Sequence, residues 1–482
     1  MSAILSIGAY VPLMRLQRAS IYDANRWFAP GLKGLARGER AIANWDEDVV
    51  TMAVEAARNC LADRDTGDVT AVLLASTSAP FADRQNAGIV KEALNLDDAV
   101  LTVDIGASQK AGTGALIQAL RGGDSGMTLL TASENRRARP ASEDEMVNGD
   151  AAAALLIGPG DGIARFLGSH SISADFVDHF RTDDAEFDYG WEARWVREEG
   201  YAKLSGAAVR GLLDAHGIDG GDIAHFAAGI PAKGAAAALA RTVGIPAEAV
   251  IDDFAATLGY AGCAQPLLLL AAALEKAKPG DHILVVGFGQ GADALLFEAT
   301  DAVARPSDAV GLSDAIARSR KEDNYLKYLA FAGHLKLELG KRAEFDQKPV
   351  LTALYRNRKA VLGLVGGRCT VTGTVQFPKS EISVNQNAPE IGTQEDYPFA
   401  HRRAKVLTYT ADSLTYTPDP PNYYGMVEFE GGGRMLTEFT DADPDSIFVG
   451  APVRMMFRVK ARDDRSGFVK YFWKAVPAAE GN

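Results

Sequence analysis

Over its first 300 or so residues the chain alternates short apolar runs with longer stretches in which apolar positions return every three to four residues. Short runs of this kind read as strands buried on both faces, and the longer stretches as amphipathic helices, so the alternation predicts a layered α/β fold. Strands are expected at Val69–Ala75, Val100–Ile105, Met127–Ala132, His225–Gly229 and His282–Gly287. Helix ends carry matching punctuation: "LEKAKPGD" closes one helix with Lys276, Lys278, Pro279 and Gly280, and Pro231 stands where a first-turn proline is tolerated. Two segments echo one another, "GDAAAALLIG" at 149–158 and "GADALLFEAT" at 291–300, each a glycine turn followed by a strand of small and aliphatic residues. The echo points to an internal duplication.

The texture changes after Arg305, where charged helical sequence predicts a connecting arm to about Lys348. Beyond it, β-branched and aromatic residues alternate with polar ones in "KVLTYT", "SLTYTP", "GMVEFEGGGRMLTEF", "PVRMMFRVKA" and "GFVKYFWKAV", with Gly431–Gly433 as a hairpin turn. That spacing predicts a small closed barrel of the OB type. The chain then divides into two α/β halves (1–165 and 166–304), a helical arm (305–348), a ribbon-like segment (349–390) and a barrel (391–482).

With 482 residues, a net charge of −13 and three cysteines, composition narrows the function classes. The acidic balance disfavours nucleic acid as a partner, because such binding draws on clustered Lys and Arg. No apolar run approaches the ~18 to 20 residues of a membrane span, and the start "MSAILS" lacks the basic n-region of a signal peptide, so a cytoplasmic protein away from the membrane is expected. Cys60, Cys263 and Cys369 are too scattered for a disulfide framework. The turn "VDIGASQKAGTGAL" (103–116) has the form of a nucleophile site, a strand and a small-residue turn opening a helix, but its polar residues are Ser108, Gln109 and Lys110.

The motifs "SIGAYVPLMRLQR" (6–18), "DEDVVTMAVEAARNCL" (46–61), "QKAGTGALIQAL" (109–120), "NGDAAAALLIG" (148–158) and "AKPGDHILVVGFGQGADA" (277–294), in this order, resemble the thiolase superfamily, in its hydroxymethylglutaryl-CoA synthase and ketoacyl synthase III branch. "ALYRNRKAVLGLVGGRCTVTGTVQFP" followed by "YYGMVEFEGGGRMLTEF" resembles acyl-CoA-associated proteins that join a zinc ribbon to an OB-fold. The resemblance implies a five-layered αβαβα domain followed by the arm and the barrel. It also implies a coenzyme A thioester as substrate, with no bound cofactor.

Carried over residue by residue, the family's catalytic cysteine falls on Gln109, its glutamate on Thr77, its histidine on Gly229 and its asparagine on Tyr260. A carboxamide cannot form a thioester, and losing members of a catalytic set costs orders of magnitude each. Ser108 and His225 are the nearest substitutes for a nucleophile and base. In the ribbon, Cys369 matches a zinc ligand, but the companion positions are Thr372, Ser383 and Ala388, so no metal is expected. The leading expectation is a non-catalytic, scaffolding subunit, a pseudoenzyme that shapes the acyl-CoA channel beside a thioester-handling thiolase-type partner, as a homodimer or hetero-oligomer. The alternative is a stand-alone hydroxymethylglutaryl-CoA synthase-like acyltransferase or a Gln109-dependent acyl-thioester decarboxylase. For the tail, elemental analysis of the dialysed protein is expected to find no stoichiometric zinc; about one zinc per chain would overturn the reading of Cys369.

Overall fold

The computed structural model describes residues 2–62, 64–122, 126–338, 350–463 and 465–478. Its Cα framework divides into two compact units, one of residues 1–44, 48–88 and 98–328, the other of 45–47, 89–97 and 329–482.

The first unit is organised by nine strands: β1 (Ser2–Tyr10), β2 (Val69–Ala75), β3 (Leu101–Ile105), β4 (Met127–Glu134), β5 (Ala151–Pro159), β6 (Ala164–Ser173), β7 (Ile223–Gly229), β8 (His282–Phe288) and β9 (Gly291–Ala299). They run in the order β7-β8-β9-β6-β1-β5-β4-β2-β3. Two halves meet where β1 touches β6 through the pairs Ala3↔Arg165 and Ile4↔Ala164. Outward from that seam the halves correspond: β5 lies antiparallel to β1 as β9 does to β6, β4 and β8 follow antiparallel, and β2 and β7 add on in parallel. The echoing segments "GDAAAALLIG" and "GADALLFEAT" therefore occupy equivalent strands, β5 and β9. Residues 151–157 are all buried, which is why β5 reads as an unbroken small and aliphatic run and not as an alternation.

Four helices build the layers: α1 (Val49–Leu61), α2 (Ala111–Arg121), α3 (Ser205–His216) and α4 (Gln265–Lys276). α1 starts at a reciprocal cap, the Asp48 carboxylate accepting from Thr51 N at 3.0 Å and Thr51 Oγ1 accepting from Asp48 N at 2.8 Å. It packs on β1, β5 and β4, while α3 packs on β9, β6 and β8. α2 and α4 touch each other and strands of both halves. Every residue of α4 from Gln265 to Leu274 is buried, the signature of a helix with apolar surroundings on all sides. The sequence of layers is thus α1, sheet, α2 with α4, sheet, α3: the five-layered αβαβα arrangement.

The expected arm is not one helix. It contains the short helices Leu312–Ala317 and Tyr325–Phe331 and, between them, the strand Arg320–Glu322, which pairs in parallel with Met14–Gln17; residues 339–348 of the arm lie outside the described residues.

In the second unit, β10 (Ala404–Asp412), β11 (Asn422–Phe429), β12 (Arg434–Glu438), β13 (Pro452–Arg462) and β14 (Val469–Pro477) form a sheet in the order β12-β11-β10-β13-β14. The bridge Phe439↔Ala475 brings the chain just past β12 onto β14 and closes the barrel. The "SLTYTP" stretch expected as a strand is instead a bend. Asp412 captures Leu414 N at 2.8 Å and Thr415 Oγ1, and these local bonds compete with a ladder. Arg458, fully buried, is gripped by Glu47 and by Asp441 at 2.6 Å, and Lys474 reaches Asp46 at 2.9 Å. Removing one partner from such a buried set costs about 3–5 kcal/mol, because the charge left behind has no water to turn to. The ribbon-like segment contributes Val365–Cys369 and Val375–Gln376 to a three-stranded sheet that Gln394–Pro398 completes.

A second buried ionic group, in the first unit, joins Arg40, Glu145, Asp150, Tyr325 and Tyr328. Tyr325 donates to Glu145 at 2.9 Å, and the Arg40 guanidinium lies 5.4 Å from the centre of the Tyr328 ring. Burial pushes the Asp150 carboxyl up to about 6, against the pull of Arg40 and of its hydrogen bond from Ala43 N. A carboxyl whose pKa is higher in the folded chain than in the unfolded chain favours folding least when both states are ionised. Stability therefore falls as pH rises from about 4 to about 6, by at most about 3 kcal/mol. Asp150→Asn keeps the acceptor for Ala43 N and is expected to raise the melting temperature above pH 6, with the gain vanishing near pH 4; an equal gain at both pH values would rule out ionisation of Asp150 as the cause.

Candidate active site

The turn between β3 and α2 places Gln109 at the start of a buried helix. Ala107 takes a left-handed φ of 65°, Ala111 N closes the turn on Ser108 O at 2.9 Å, and Gln109 is only 8% exposed. Backbone crowds this turn on two sides. A Cβ on Gly289 would lie 2.7 Å from Ser108 Oγ and 2.8 Å from Lys110 N, and one on Gly112 would lie 2.2 Å from Cys263 O. Only glycine permits these approaches. Lys110 is held by Asp293 at 3.2 Å, and the other oxygen of Asp293 accepts from Thr113 at 2.9 Å.

The Gln109 side chain meets an imidazole. Its Nε2 lies 3.0 Å from His179 Nε2, and His179 Nδ1 lies 2.7 Å from Asp178 Oδ2. An amide nitrogen only donates, so His179 Nε2 accepts and the ring proton rests on Nδ1, toward Asp178. The result is an imidazole oriented by a carboxylate, with Nε2 turned toward residue 109. Both residues come from a small hairpin in which Tyr189 pairs with Phe180 and Gly190 with His179.

Around this dyad the other positions take their places. Thr77 donates from both N and Oγ1 to Glu134 Oε1 at 2.9 Å each, and Ser78 Oγ donates to Glu134 Oε2. Glu134 is fully buried, and its charge bears on the Cys263 thiol, which desolvation first and Glu134 second push far up; Cys263 is no nucleophile. Gly229 leaves no room for a histidine, since even a Cβ there would lie 2.6 Å from Pro266 Cγ. Tyr260 is nearly buried, and its phenol is pushed up by burial first and then by Tyr201.

Ser108 and His225 are not brought together. Ser108 Oγ donates to Gly289 O at 3.0 Å, whereas His225 pairs with Asp281 at 3.1 Å and lies in register with Ile283, six residues and so ~20 Å back along the neighbouring strand. Burial pushes the Cys60 thiol up to about 12. In the ribbon, Cys369 Sγ lies 3.1 Å from Thr393 Oγ1 and accepts from Thr372 N at 3.4 Å; hydrogen bonds from Thr372 and Thr393 bring its thiol down to about 7. Among the described residues no cluster of three His, Cys, Asp or Glu side chains is placed to hold a metal, at Cys369, Thr372, Ser383 and Ala388 or elsewhere.

The sequence alone did not point to His179, Asp178 or Glu134. The only signal for the first two was the triplet "DHF" in a polar stretch without core periodicity, and nothing in the chain sets its distance from Gln109.

Two matching halves around a pair of central helices, with the functional position at the start of one of them, define the thiolase-like class. Residues 213–297 match the family model for the 3-oxoacyl-[acyl-carrier-protein] synthase III C terminal, and residues 397–458 match that for the ChsH2 C-terminal OB-fold domain. The hydroxymethylglutaryl-CoA synthase of Aeropyrum pernix is 32% identical over 337 residues, 68% of this chain and 93% of its own, and that of Pyrobaculum neutrophilum is 30% identical over 346 residues, 69% and 98%. The chain belongs to the hydroxymethylglutaryl-CoA synthase family and fuses that domain to an OB-fold. Among solved structures, an HMG-CoA synthase complexed with CoA superposes with a TM-score of 0.61 at 18% identity, over 72% of this chain and 95% of its own. These findings overturn the expected non-catalytic scaffolding subunit: hydroxymethylglutaryl-CoA synthases align with this chain over nearly their whole length.

Since Gln109 supplies no thiol and Cys263 is buried, incubation with radiolabelled acetyl-CoA is expected to leave no hydroxylamine-labile label on the protein. Gln109→Cys sets a thiol beside His179 and is expected to become labelled; label on the unaltered chain, lost on Ser108→Ala, would show a nucleophile that this geometry does not contain.

Proposed function

We propose that this chain is a stand-alone enzyme of the hydroxymethylglutaryl-CoA synthase type that acts on the carbon beside the carbonyl of a CoA thioester, without an acyl-enzyme intermediate. The observation that carries this reading is the line Gln109–His179–Asp178, with a carboxylate-oriented imidazole beside the position where the family resemblance puts a nucleophile. In this reading the thioester oxygen draws the Gln109 N–H away from His179 Nε2, the freed Nε2 takes a proton from the α-carbon, Asp178 stabilises the imidazolium that results, and the electron pair moves onto the thioester oxygen. The Gln109 amide N–H and the positive end of α2 receive that negative oxygen. The enolate is then ready to form a carbon–carbon bond. CoA thioesters as the substrate class follow from the names of the relatives.

A second reading rests on Gln109 in particular, a donor that cannot be acylated. The same enolate arises when a malonyl-type thioester loses carbon dioxide: the bond from the α-carbon to the carboxylate breaks, its electron pair enters the enolate, and a proton then adds at the α-carbon.

Both readings are followed by deuterium. In heavy water the protein is expected to place deuterium at the α-carbon of acetyl-CoA or longer acyl-CoA thioesters, and His179→Asn to slow this by roughly 100-fold or more. Release of carbon dioxide from malonyl-CoA, with deuterium entering the acetyl-CoA formed, marks the second reading. Absence of exchange and of carbon dioxide release, or exchange indifferent to His179→Asn, would sink the assignment.

A further inference from the structure

The hairpin that brings His179 and Asp178 to Gln109 is held by remarkably little of its own substance. Its two strands, His179–Phe180 and Tyr189–Gly190, have two residues each and pair only with one another. Three of its aromatic side chains, Phe180, Tyr189 and Trp191, are 50, 57 and 59% exposed, while Phe187 lies 5.4 Å from the Arg139 guanidinium. The side chains of a strand alternate, so His179 and Arg181 share one face and Phe180 takes the other. On the inner face His179 meets Gln109, and Arg181 donates to the carbonyl of Thr77.

Opposite them the returning strand supplies one carboxylate. Asp188 precedes Tyr189 and Gly190, the residues paired with Phe180 and His179, and it is bonded by Arg136 with both side chains almost wholly buried. Arg181 adds a contact at 3.8 Å. Arg136 stands two residues past Glu134, the last residue of β4, and Thr77 two residues past Ala75, the last of β2, so the hairpin is pinned to the ends of two sheet strands. The neighbouring pair Arg137–Glu186, at 2.8 Å, is 38 and 50% exposed and contributes little.

We infer that Asp188, with Arg136 and Arg181, positions the His179–Asp178 dyad against Gln109. This rests on the function proposed above only where turnover is concerned. The old glutamate position, now Thr77, serves the site through its main chain, as the seat for an arginine of the hairpin. Asp188 touches neither Gln109 nor His179; it acts through the hairpin that carries the imidazole. A displacement of about 1 Å at a reacting group costs on the order of 100-fold in rate.

The test uses the full chain labelled with 15N-histidine. In the unaltered protein the His179 Nδ1–H is expected as a slowly exchanging resonance, and the amides of 176–192 as protected against hydrogen exchange. Asp188→Asn is expected to abolish that resonance, remove the protection and lower α-proton exchange roughly 100-fold, with the melting temperature nearly unchanged. Asp188→Glu restores part of each, and Glu186→Gln leaves all three as they were. If Asp188→Asn unfolds the chain, Arg181→Lys serves in its place, since it keeps the charge but loses the forked reach to Thr77 and Asp188. A resonance and protection that survive both substitutions overturn the positioning role. Because both are read without turnover, their loss with no change in α-proton exchange overturns the proposed function instead and leaves the positioning supported.

Discussion

The closeness with which bare backbone grips the start of α2 is the constraint on which the first unit depends. Gly112 lies so near the Cys263 carbonyl, Gly289 so near the amides of 109 and 110, and Gly287 so near Thr113 that a single Cβ at any of them would collide. Each contact comes from a different part of the chain, one from the helix itself, one from the loop after β8 and one from the strand leading into it. Together they leave Gln109 no alternative position. The hairpin at 179–190 then brings His179 Nε2 to 3.0 Å from the Gln109 amide nitrogen.

Much of this was legible in the sequence, and for identifiable reasons. Val69–Ala75 and His282–Gly287 announce themselves as mainly apolar runs, within a residue of their observed bounds, the second buried from Ile283 onward and the first in part. The duplication was legible because equivalent strands in equivalent layers meet the same packing demands. The barrel was legible through alternation. Where local hydrogen bonds compete with the ladder, as at Asp412, alternation misleads, and "SLTYTP" looked like a strand.

The site was legible at one end only. Gln109 is marked by the strand, turn and helix around it, and "QKAGTGAL" is a local pattern. His179 and Asp178 lie 70 and 69 positions further on in a stretch without periodicity, where only the folded chain sets the distance. Gly229, where the resemblance placed a histidine, is packed against Pro266, while the imidazole that meets Gln109 comes from His179, far from it in the chain.

The second unit contains a different kind of dependence. Its buried cations Arg458 and Lys474 are neutralised by Glu47 and Asp46, which precede them in the chain by 411 and 428 residues. During synthesis the two carboxylates emerge long before their partners exist, and they must stay hydrated until the last barrel strands are made. The barrel therefore does not complete itself from its own stretch of the chain. Its assembly closes loops of 411 and 428 residues, so strands made late decide when carboxylates made early are allowed to leave water.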